Sequence, residues 1–201
     1  MHQFFDQKFQ KHITIIGPGD YYTSDNNHMI IQTVLGSCIA VCLYDEEKPI
    51  GGMNHFMLPV KGNHKLMIEN EAGRYGMYAM ELLINELIKK GLKKQKLKAK
   101  VFGGGSLLAE TVKSQNVAKK NVLFILDYLK KEKIPIAAKH LGGDSSRKIL
   151  FFIESKKVLL KESNKKELFD EKAQEITYLK NLEKQIAQKQ KIIFFNNNIT
   201  D

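Results

Sequence analysis

Three strand-length apolar segments follow one another between residues 29 and 58, and their spacing constrains the fold more than any other feature of the chain. They are residues 29–34, Ile39–Tyr44 and residues 50–58, joined by short turn-forming stretches at 35–38 and 45–49. Neighbouring parallel strands need a crossover of a dozen or more residues, so these connections favour antiparallel pairing. The run IAVCLY is apolar throughout, which predicts a strand that is buried on both faces.

Two later segments have helical spacing. Residues 75–90 and 119–131 repeat apolar side chains every three or four positions, which predicts amphipathic helices. Residues 98–102 predict a strand between them, and residues 148–153 with 158–160 predict a terminal hairpin. The pattern as a whole predicts an α/β fold, a single domain with mixed, largely antiparallel sheets flanked by helices.

The pattern of apolar and charged residues changes after residue 160. Residues 165–190 place apolar side chains on one side of a charged pattern, which predicts a C-terminal amphipathic helix that packs on the domain or on a partner. We therefore expect an N-terminal arm at residues 1–15, a domain at residues 16–160 and a charged helical extension at residues 161–201.

Composition excludes several classes of protein. Two cysteines among 201 residues exclude a disulfide scaffold, and 43% hydrophobic residues with 27% charged residues argue against disorder. No apolar run reaches the ~18–20 residues that span a bilayer, and the N-terminus lacks the basic start and apolar core of a secretory signal. These features predict a cytoplasmic protein in which Cys38 and Cys42 stay reduced.

The formal net charge of +10 raises the question of an acidic partner. Most of the excess lies before residue 161, and residues 89–100 contain seven lysines and no acidic residue. Nucleic-acid-binding segments usually interleave such lysines with aromatic side chains or carry a recognisable helical reader. Neither occurs here, so a solvated lysine-rich face is favoured over nucleic-acid binding.

Cys38 is the first candidate for chemistry. It follows Gly36 and Ser37 at a sharp turn between two apolar strands, where backbone N–H groups near a presented side chain can stabilise an oxyanion. The simpler alternative is a buried cysteine that acts as a small hydrophobic residue. Cys42, inside its apolar run, fits that alternative better.

His55 is the second candidate, because it lies inside an apolar strand between a glycine pair and Pro59. A neutral histidine of the core would also explain it. However, a thiol needs a base to become a thiolate and an acid to protonate the leaving group, and Cys38 can meet His55 across the sheet. The imidazole then needs an orienting hydrogen-bond partner. The nearby possibilities are Thr33, Ser37, Asp45 and Asn54.

No other feature predicts a cofactor. The remaining histidines lack the Cys, His or acidic spacing of a metal site, so no metal is expected. Residues 103–106 (GGGS) lack the Gly-Lys-Ser/Thr of a phosphate-binding loop. They predict a tight strand-to-helix turn or a close backbone approach beside a site.

Two segments in this order and spacing resemble the CheD family of chemoreceptor glutamine deamidases: TVLGSC at 33–38 and GMNHFMLP at 52–59. The resemblance covers roughly residues 16–160. Two departures are visible. Residues 116–121 read NVAKKN where the family has Asn-Ile-Gly-x-Arg-Asn, and His140 replaces an acidic residue often found before the Gly-Gly pair. Further similarity lies in residues 18–21, 74–76, 100–105, 142–143 and Arg147.

The resemblance implies an amidohydrolase, a protein-glutamine glutaminase that converts glutamine side chains of methyl-accepting chemotaxis receptors to glutamate without a cofactor. The family's nucleophile falls on Cys38 and its base on His55. The third catalytic residue of the family is a Thr just upstream of the Gly-Ser-Cys turn. It falls on Thr33, with Gln32 as the neighbouring possibility.

Three other roles stay open at this point. The chain is alternatively a binding module for a CheC-type phosphatase of the chemotaxis response regulator, since the family is also associated with such proteins. It is otherwise a thiol hydrolase acting on another amide, as a peptidase does, or a nucleic-acid binder that uses residues 89–100. The sequence favours receptor deamidation over these three roles, in the order given.

Overall fold

The computed structural model describes residues 1–58, 71–106, 112–163, 176–178, 180–181 and 184. Within them the chain forms ten strands, two α-helices and one short 3₁₀ helix at Lys94–Lys96. The strands are β1 (His2–Asp6), β2 (Lys11–Ile15), β3 (Tyr21–Ser24), β4 (Met29–Leu35), β5 (Ile39–Tyr44), β6 (Gly51–Phe56), β7 (Lys98–Gly103), β8 (Ile136–Leu141), β9 (Ser146–Phe152) and β10 (Val158–Ser163). The helices are α1 (Glu71–Lys89) and α2 (Val112–Lys131).

The strands form two five-stranded sheets. Sheet A has the order β1-β2-β4-β9-β10, and sheet B has the order β3-β6-β5-β7-β8. The pairs β2–β4 and β7–β8 are parallel, and the other neighbouring pairs are antiparallel. The predicted α/β fold with mixed, largely antiparallel sheets flanked by helices is thereby confirmed.

Sheet B is the middle of three layers. Because successive side chains of a strand point to opposite faces, β5 contributes to two separate parts of the core. Ile39, Val41 and Leu43 pack against the apolar faces of α1 and α2. Ala40 and Cys42 face sheet A and pack on its inner side. All six residues of β5 are buried, as the apolar run predicts.

The N-terminal segment joins sheet A. Residues 1–15, expected as an arm, contain a β1–β2 hairpin whose second strand pairs with β4 in parallel. Their mixture of Lys, Gln, His and aromatic side chains gives no clean alternation, so the sequence does not reveal these strands. The predicted domain boundaries stay a prediction.

Residues 161–163 of the predicted C-terminal extension belong to strand β10, and its other described residues, Ile176–Tyr178, Lys180, Asn181 and Lys184, are helical. The rest of the helix predicted for residues 165–190 lies outside the described residues. Along the described ranges, neither α1 nor α2 combines the length and apolar character that crossing a membrane requires.

Candidate active site

The three predicted site residues lie between the two sheets. Thr33 is on the inner face of β4 in sheet A, His55 is on β6 in sheet B, and Cys38 follows the turn from β4 to β5. Cys38 is 0% exposed, Thr33 1% and His55 3%. Cys38 belongs to the apolar cluster that fills the space between the sheets.

Strand register places Cys38 beside His55. Ala40 of β5 pairs directly with His55 of β6. Cys38 precedes Ala40 by two residues and packs in the same inter-sheet cluster, which makes it a diagonal neighbour of His55. Diagonal neighbours on one sheet face lie about 7–8 Å apart. In this conformation the Cys38 sulfur makes no hydrogen bond to His55 Nε2.

Thr33 fixes the tautomer of His55. Its Oγ1 lies 2.8 Å from the carbonyl oxygen of Ile16 and 2.8 Å from His55 Nδ1. A threonine hydroxyl has one proton, which it donates to the carbonyl, so it accepts a hydrogen bond from the imidazole Nδ1–H. The neutral ring then carries its lone pair on Nε2. That atom is buried and has no hydrogen-bond partner among the described residues.

Three of the alternatives for the orienting residue, Asn54, Asp45 and Gln32, lie or bond elsewhere. Asn54 Oδ1 accepts from Val41 N–H, and its Nδ2 donates to the carbonyl of Ala79 on the helix side of sheet B. Asp45 Oδ1 accepts from the backbone N–H of Glu47. Gln32 lines a groove on the outer face of sheet A, away from the imidazole.

Burial controls the charge of the imidazole. Desolvation lowers the pKa of His55 from 6.5 to about 3. The ring is therefore neutral at physiological pH, which is the state in which Nε2 can accept a proton. Burial raises the pKa of Cys42, in keeping with a thiol of the core.

Backbone hydrogen bonds hold the turn that presents Cys38. The carbonyl oxygens of residues 36 and 38 accept from the N–H groups of Gly105 and Gly104, at 2.7 and 2.8 Å. Asn121 Nδ2 donates to the carbonyl of Ser37 at 2.8 Å, and its Oδ1 accepts from Leu58 N–H at 2.8 Å. All three carbonyls of the turn are thus tied to other elements.

The glycine run reaches this turn because it has no side chain there. Gly103 has φ +115°, and a Cβ built on it would lie 2.0 Å from the carbonyl oxygen of Cys38. Of the two interpretations that the sequence left open for residues 103–106, the structure shows the close backbone approach.

The chain is similar to known proteins of one family. Residues 57–162 match the family model CheD, described as CheD chemotactic sensory transduction. A Dechloromonas aromatica protein, "Probable chemoreceptor glutamine deamidase CheD 1", is 48% identical over 79% of this chain and 77% of its own. The protein of that name from Shewanella oneidensis is 46% identical over 76% of this chain and 73% of its own.

The chain belongs to the CheD family. The resemblance carried by residues 33–38 and 52–59 is thereby confirmed. The family match begins at residue 57, after Thr33, Cys38 and His55, so the roles of these three residues depend on their geometry in this chain. A weaker structural likeness, with a TM-score of 0.39 and 13% identity, covers 62% of this chain and 54% of a Neisseria meningitidis protein of known structure.

Two supporting residues of this CheD-family site were not assigned a role from the sequence. Asn121 on α2 links Leu58 to the turn before Cys38. Arg147 on β9 is 0% exposed and donates to four backbone carbonyls, of Gly103, His140, Gly142 and Ser145. Both residues occur in segments that resemble the family, and this resemblance is the only feature of the sequence that points to a role for them.

Two tyrosines lie at the outer side of the CheD-family site. The hydroxyl of Tyr75 on α1 hydrogen-bonds the hydroxyl of Tyr178 from the C-terminal extension. Tyr178 packs on the inter-sheet cluster that contains Cys38. Burial raises the pKa of both tyrosines, and the charge of Cys38 is among the smaller causes in each case.

Within the described ranges, no three His, Cys, Asp or Glu side chains are grouped as a metal site requires.

Proposed function

We propose that this protein is an amidohydrolase that converts glutamine side chains of chemoreceptors to glutamate and releases ammonia, with Cys38 as nucleophile. The names of its CheD relatives support the reaction and the substrate. One observation in this chain supports the chemistry most. The Thr33 hydroxyl holds His55 in the tautomer whose Nε2 accepts a proton, on the sheet face that carries Cys38.

The first half of the reaction forms a thioester. His55 Nε2 takes the proton of the Cys38 thiol, and the thiolate attacks the carboxamide carbon of the glutamine. Negative charge develops on the carboxamide oxygen beside the turn at 36–38, whose backbone is held rigid by Gly104, Gly105 and Asn121. The His55 imidazolium gives its proton to the departing nitrogen, which leaves as ammonia.

The second half of the reaction restores the thiol. A water molecule gives a proton to His55 Nε2 and attacks the thioester carbon. The carbon–sulfur bond breaks, the thiolate regains its proton from His55, and the receptor keeps a glutamate. One water is consumed and one ammonia is released for each added negative charge, and no cofactor enters the balance.

Location and partners follow from this function. We place the protein in the cytoplasm, where it meets the signalling part of chemotaxis receptors as substrate. A CheC-type phosphatase is a second partner suggested by the family resemblance. Pull-down with such a phosphatase, compared with receptor deamidation by the same preparation, distinguishes a binding role from a catalytic one.

The experiment that tests the function uses the two cysteines as a matched pair. Wild-type protein, Cys38→Ala and Cys42→Ala are incubated with a cytoplasmic receptor fragment, and ammonia and Gln→Glu changes are measured by coupled assay and mass spectrometry. We expect Cys38→Ala to release no ammonia above background and Cys42→Ala to retain activity. Undiminished release by Cys38→Ala would overturn the mechanism, and failure of the wild-type protein to act on receptors while it cleaves casein would favour a peptidase.

A further inference from the structure

In this conformation the candidate site is closed to a substrate. Cys38 is 0% exposed and His55 is 3% exposed. A glutamine carboxamide has to touch the Cys38 sulfur before a bond can form. A part of the chain that covers the thiol must therefore move before the proposed reaction can begin.

Tyr178 packs on the cluster that contains Cys38. Its hydroxyl bonds that of Tyr75, and its ring contacts Gly19 so closely that a Cβ on that glycine would lie 2.9 Å from the ring. Gly19 N–H donates to the carbonyl of His55 at 2.7 Å, and His55 N–H donates to the carbonyl of Asp20 at 2.9 Å. Tyr178 therefore lies on the backbone that directly flanks the proposed base.

The thiol is close to the same pair of hydroxyls. Tyr178 packs on the apolar cluster that includes Cys38 and Met57. The charge of Cys38 also contributes to the raised pKa of Tyr75 and of Tyr178, after the larger effect of burial. Tyr178 thus contacts the backbone segment that bonds His55 and the apolar cluster that contains Cys38.

Tyr178 differs in burial from its described neighbours in the C-terminal segment. Tyr178 is half-buried, whereas Ile176, Thr177, Lys180 and Asn181 are exposed. Residue 178 also lies beyond the end of the family match at residue 162.

We propose that Tyr178 is an intramolecular plug. Its ring and hydroxyl occupy the surface formed by Gly19 and Tyr75, and a receptor helix displaces them to present a glutamine to Cys38. The identity of the displacing partner rests on the proposed function; the covering of the thiol does not.

The charge state of His55 supports an opening step. Burial lowers its pKa to about 3, whereas a general base works best when its pKa is near the operating pH. Entry of water to the imidazole would relieve this desolvation. The open form therefore contains a stronger base than the covered form.

The test measures the accessibility of Cys38 without a receptor. Full-length wild type, Tyr178→Ala, Tyr178→Phe and the exposed-site control Ile176→Ala are treated with iodoacetamide, and alkylation of each cysteine is followed by peptide mass spectrometry. We expect Tyr178→Ala to label Cys38 about tenfold faster or more, because a hydrogen bond and the burial of a ring no longer oppose opening. Ile176→Ala should match wild type, and Cys42 should stay unlabelled in all four proteins.

Tyr178→Phe keeps the ring and loses the bond to Tyr75, so an intermediate rate is expected. Equal Cys38 labelling in wild type and Tyr178→Ala overturns the plug. If Tyr178→Ala also labels Cys42, its fold has loosened, and Tyr178→Phe decides: faster labelling of Cys38 alone supports the plug, and a wild-type rate overturns it.

A parallel assay of ammonia release separates the two proposals. Faster labelling without ammonia release from a receptor fragment keeps the plug and removes the deamidase function. If wild type and Tyr178→Ala release ammonia with equal kcat/KM and label equally, the deamidase function is supported and the plug is overturned.

Discussion

At the scale of single residues, the notable feature is a polar contact inside an apolar layer. Thr33 and His55 face each other from different sheets, beside a cluster of buried hydrophobic side chains. A buried imidazole N–H without an acceptor costs stability, and Thr33 supplies that acceptor while its own proton goes to Ile16. The two hydrogen bonds of Thr33 give these buried polar groups partners, and they also determine that Nε2 is the basic nitrogen of the ring.

Replacement of Thr33 tests that coupling. Thr33→Val keeps the shape but leaves Nδ1–H without its acceptor, so the ring is no longer held in the productive tautomer. We expect deamidation to fall roughly 10²-fold or more, the usual size of a general-base contribution, with the free energy of unfolding lower by about 1–3 kcal/mol. Thr33→Ser keeps the hydroxyl and should retain most activity. Ammonia release and urea unfolding measure both effects, and wild-type kinetics in Thr33→Val would contradict the assignment.

His55 also predicts a dependence of stability on pH. Its pKa falls from 6.5 to about 3 on folding, so the unfolded chain binds the proton more tightly. The stability that neutral His55 contributes is complete above pH 6.5 and is lost as the pH falls toward 3. The urea midpoint of wild type should decline across this window, and that of His55→Gln should decline less. Parallel curves for the two proteins would show that His55 is not buried as neutral imidazole.

At the residue scale, the sequence alone proposes Cys38 and His55 but does not choose the residues that support them, and the catalytic roles stay predictions. Cys38 and His55 stand out because each is unusual in its apolar surroundings. Thr33 does not, because its partner lies on another sheet and the residues alone left four possibilities. Asn121 contacts a backbone segment 63 positions away in the chain, a distance that no local pattern encodes.

At the scale of elements, the turn before Cys38 depends on the glycine run after β7. Gly104 and Gly105 donate to the turn, and Gly103 lets the two backbones approach. Arg147 binds the carbonyls on the far side of this loop and keeps it in place. The nucleophile is thus positioned by backbone from a strand that begins 60 residues later, at Lys98.

A pair of glycine variants separates the effect of the close contact between Gly103 and the Cys38 carbonyl from the effect of backbone strain. Gly103 and Gly142 both have positive φ, at +115° and +78°, but a Cβ meets Cys38 O at 2.0 Å in the first case and nothing within 4 Å in the second. Both alanine variants pay the strain of a left-handed conformation, about 1–2 kcal/mol. We expect only Gly103→Ala to displace the turn and abolish deamidation, whereas Gly142→Ala loses stability alone. Equal activity of the two variants would show that the close approach is unimportant.

The bounds of a strand or helix could be predicted from the sequence where nearly all of its residues are apolar and buried. The strand Ile39–Tyr44 has the predicted bounds, because an apolar run between two turns leaves few choices. Helix α2 begins at Val112, seven residues before the predicted start, because its first residues are polar and show no apolar period. Strands β1, β2 and β3 were missed since their side chains are mixed and their pairing is decided by β4 and β6.

At the scale of the whole molecule, the basic run at 89–100 is largely neutralised by folding. Five of its seven lysines form ion pairs with carboxylates from other parts of the chain, and Lys100 lies against the Tyr44 ring and bonds the carbonyl of Lys156. The pairs are Lys89–Glu86, Lys90–Asp25, Lys94–Glu132, Lys96–Glu47 and Lys98–Glu46. A run that reads as a concentrated positive charge is a mixed-charge surface in the fold.

This surface predicts weak binding to nucleic acid. Duplex DNA should bind no more tightly than the usual non-specific range, with a Kd of about 10⁻⁴ to 10⁻⁶ M at physiological salt. Fluorescence anisotropy with a labelled duplex at several salt concentrations measures this, with Lys94→Gln as the comparison. Nanomolar binding that weakens in Lys94→Gln would restore the nucleic-acid role.

The order of the strands along the chain has a consequence for how the protein is made. Thr33, Cys38 and His55 leave the ribosome early, but β4 pairs with β9, and the loop that holds Cys38 follows β7. Such long-range pairing delays folding until the later strands are available. Catalytic competence should therefore arise only after Phe152 has been synthesised, and Tyr178 follows still later. Each new copy then passes through a brief period in which the thiol is already positioned but not yet covered.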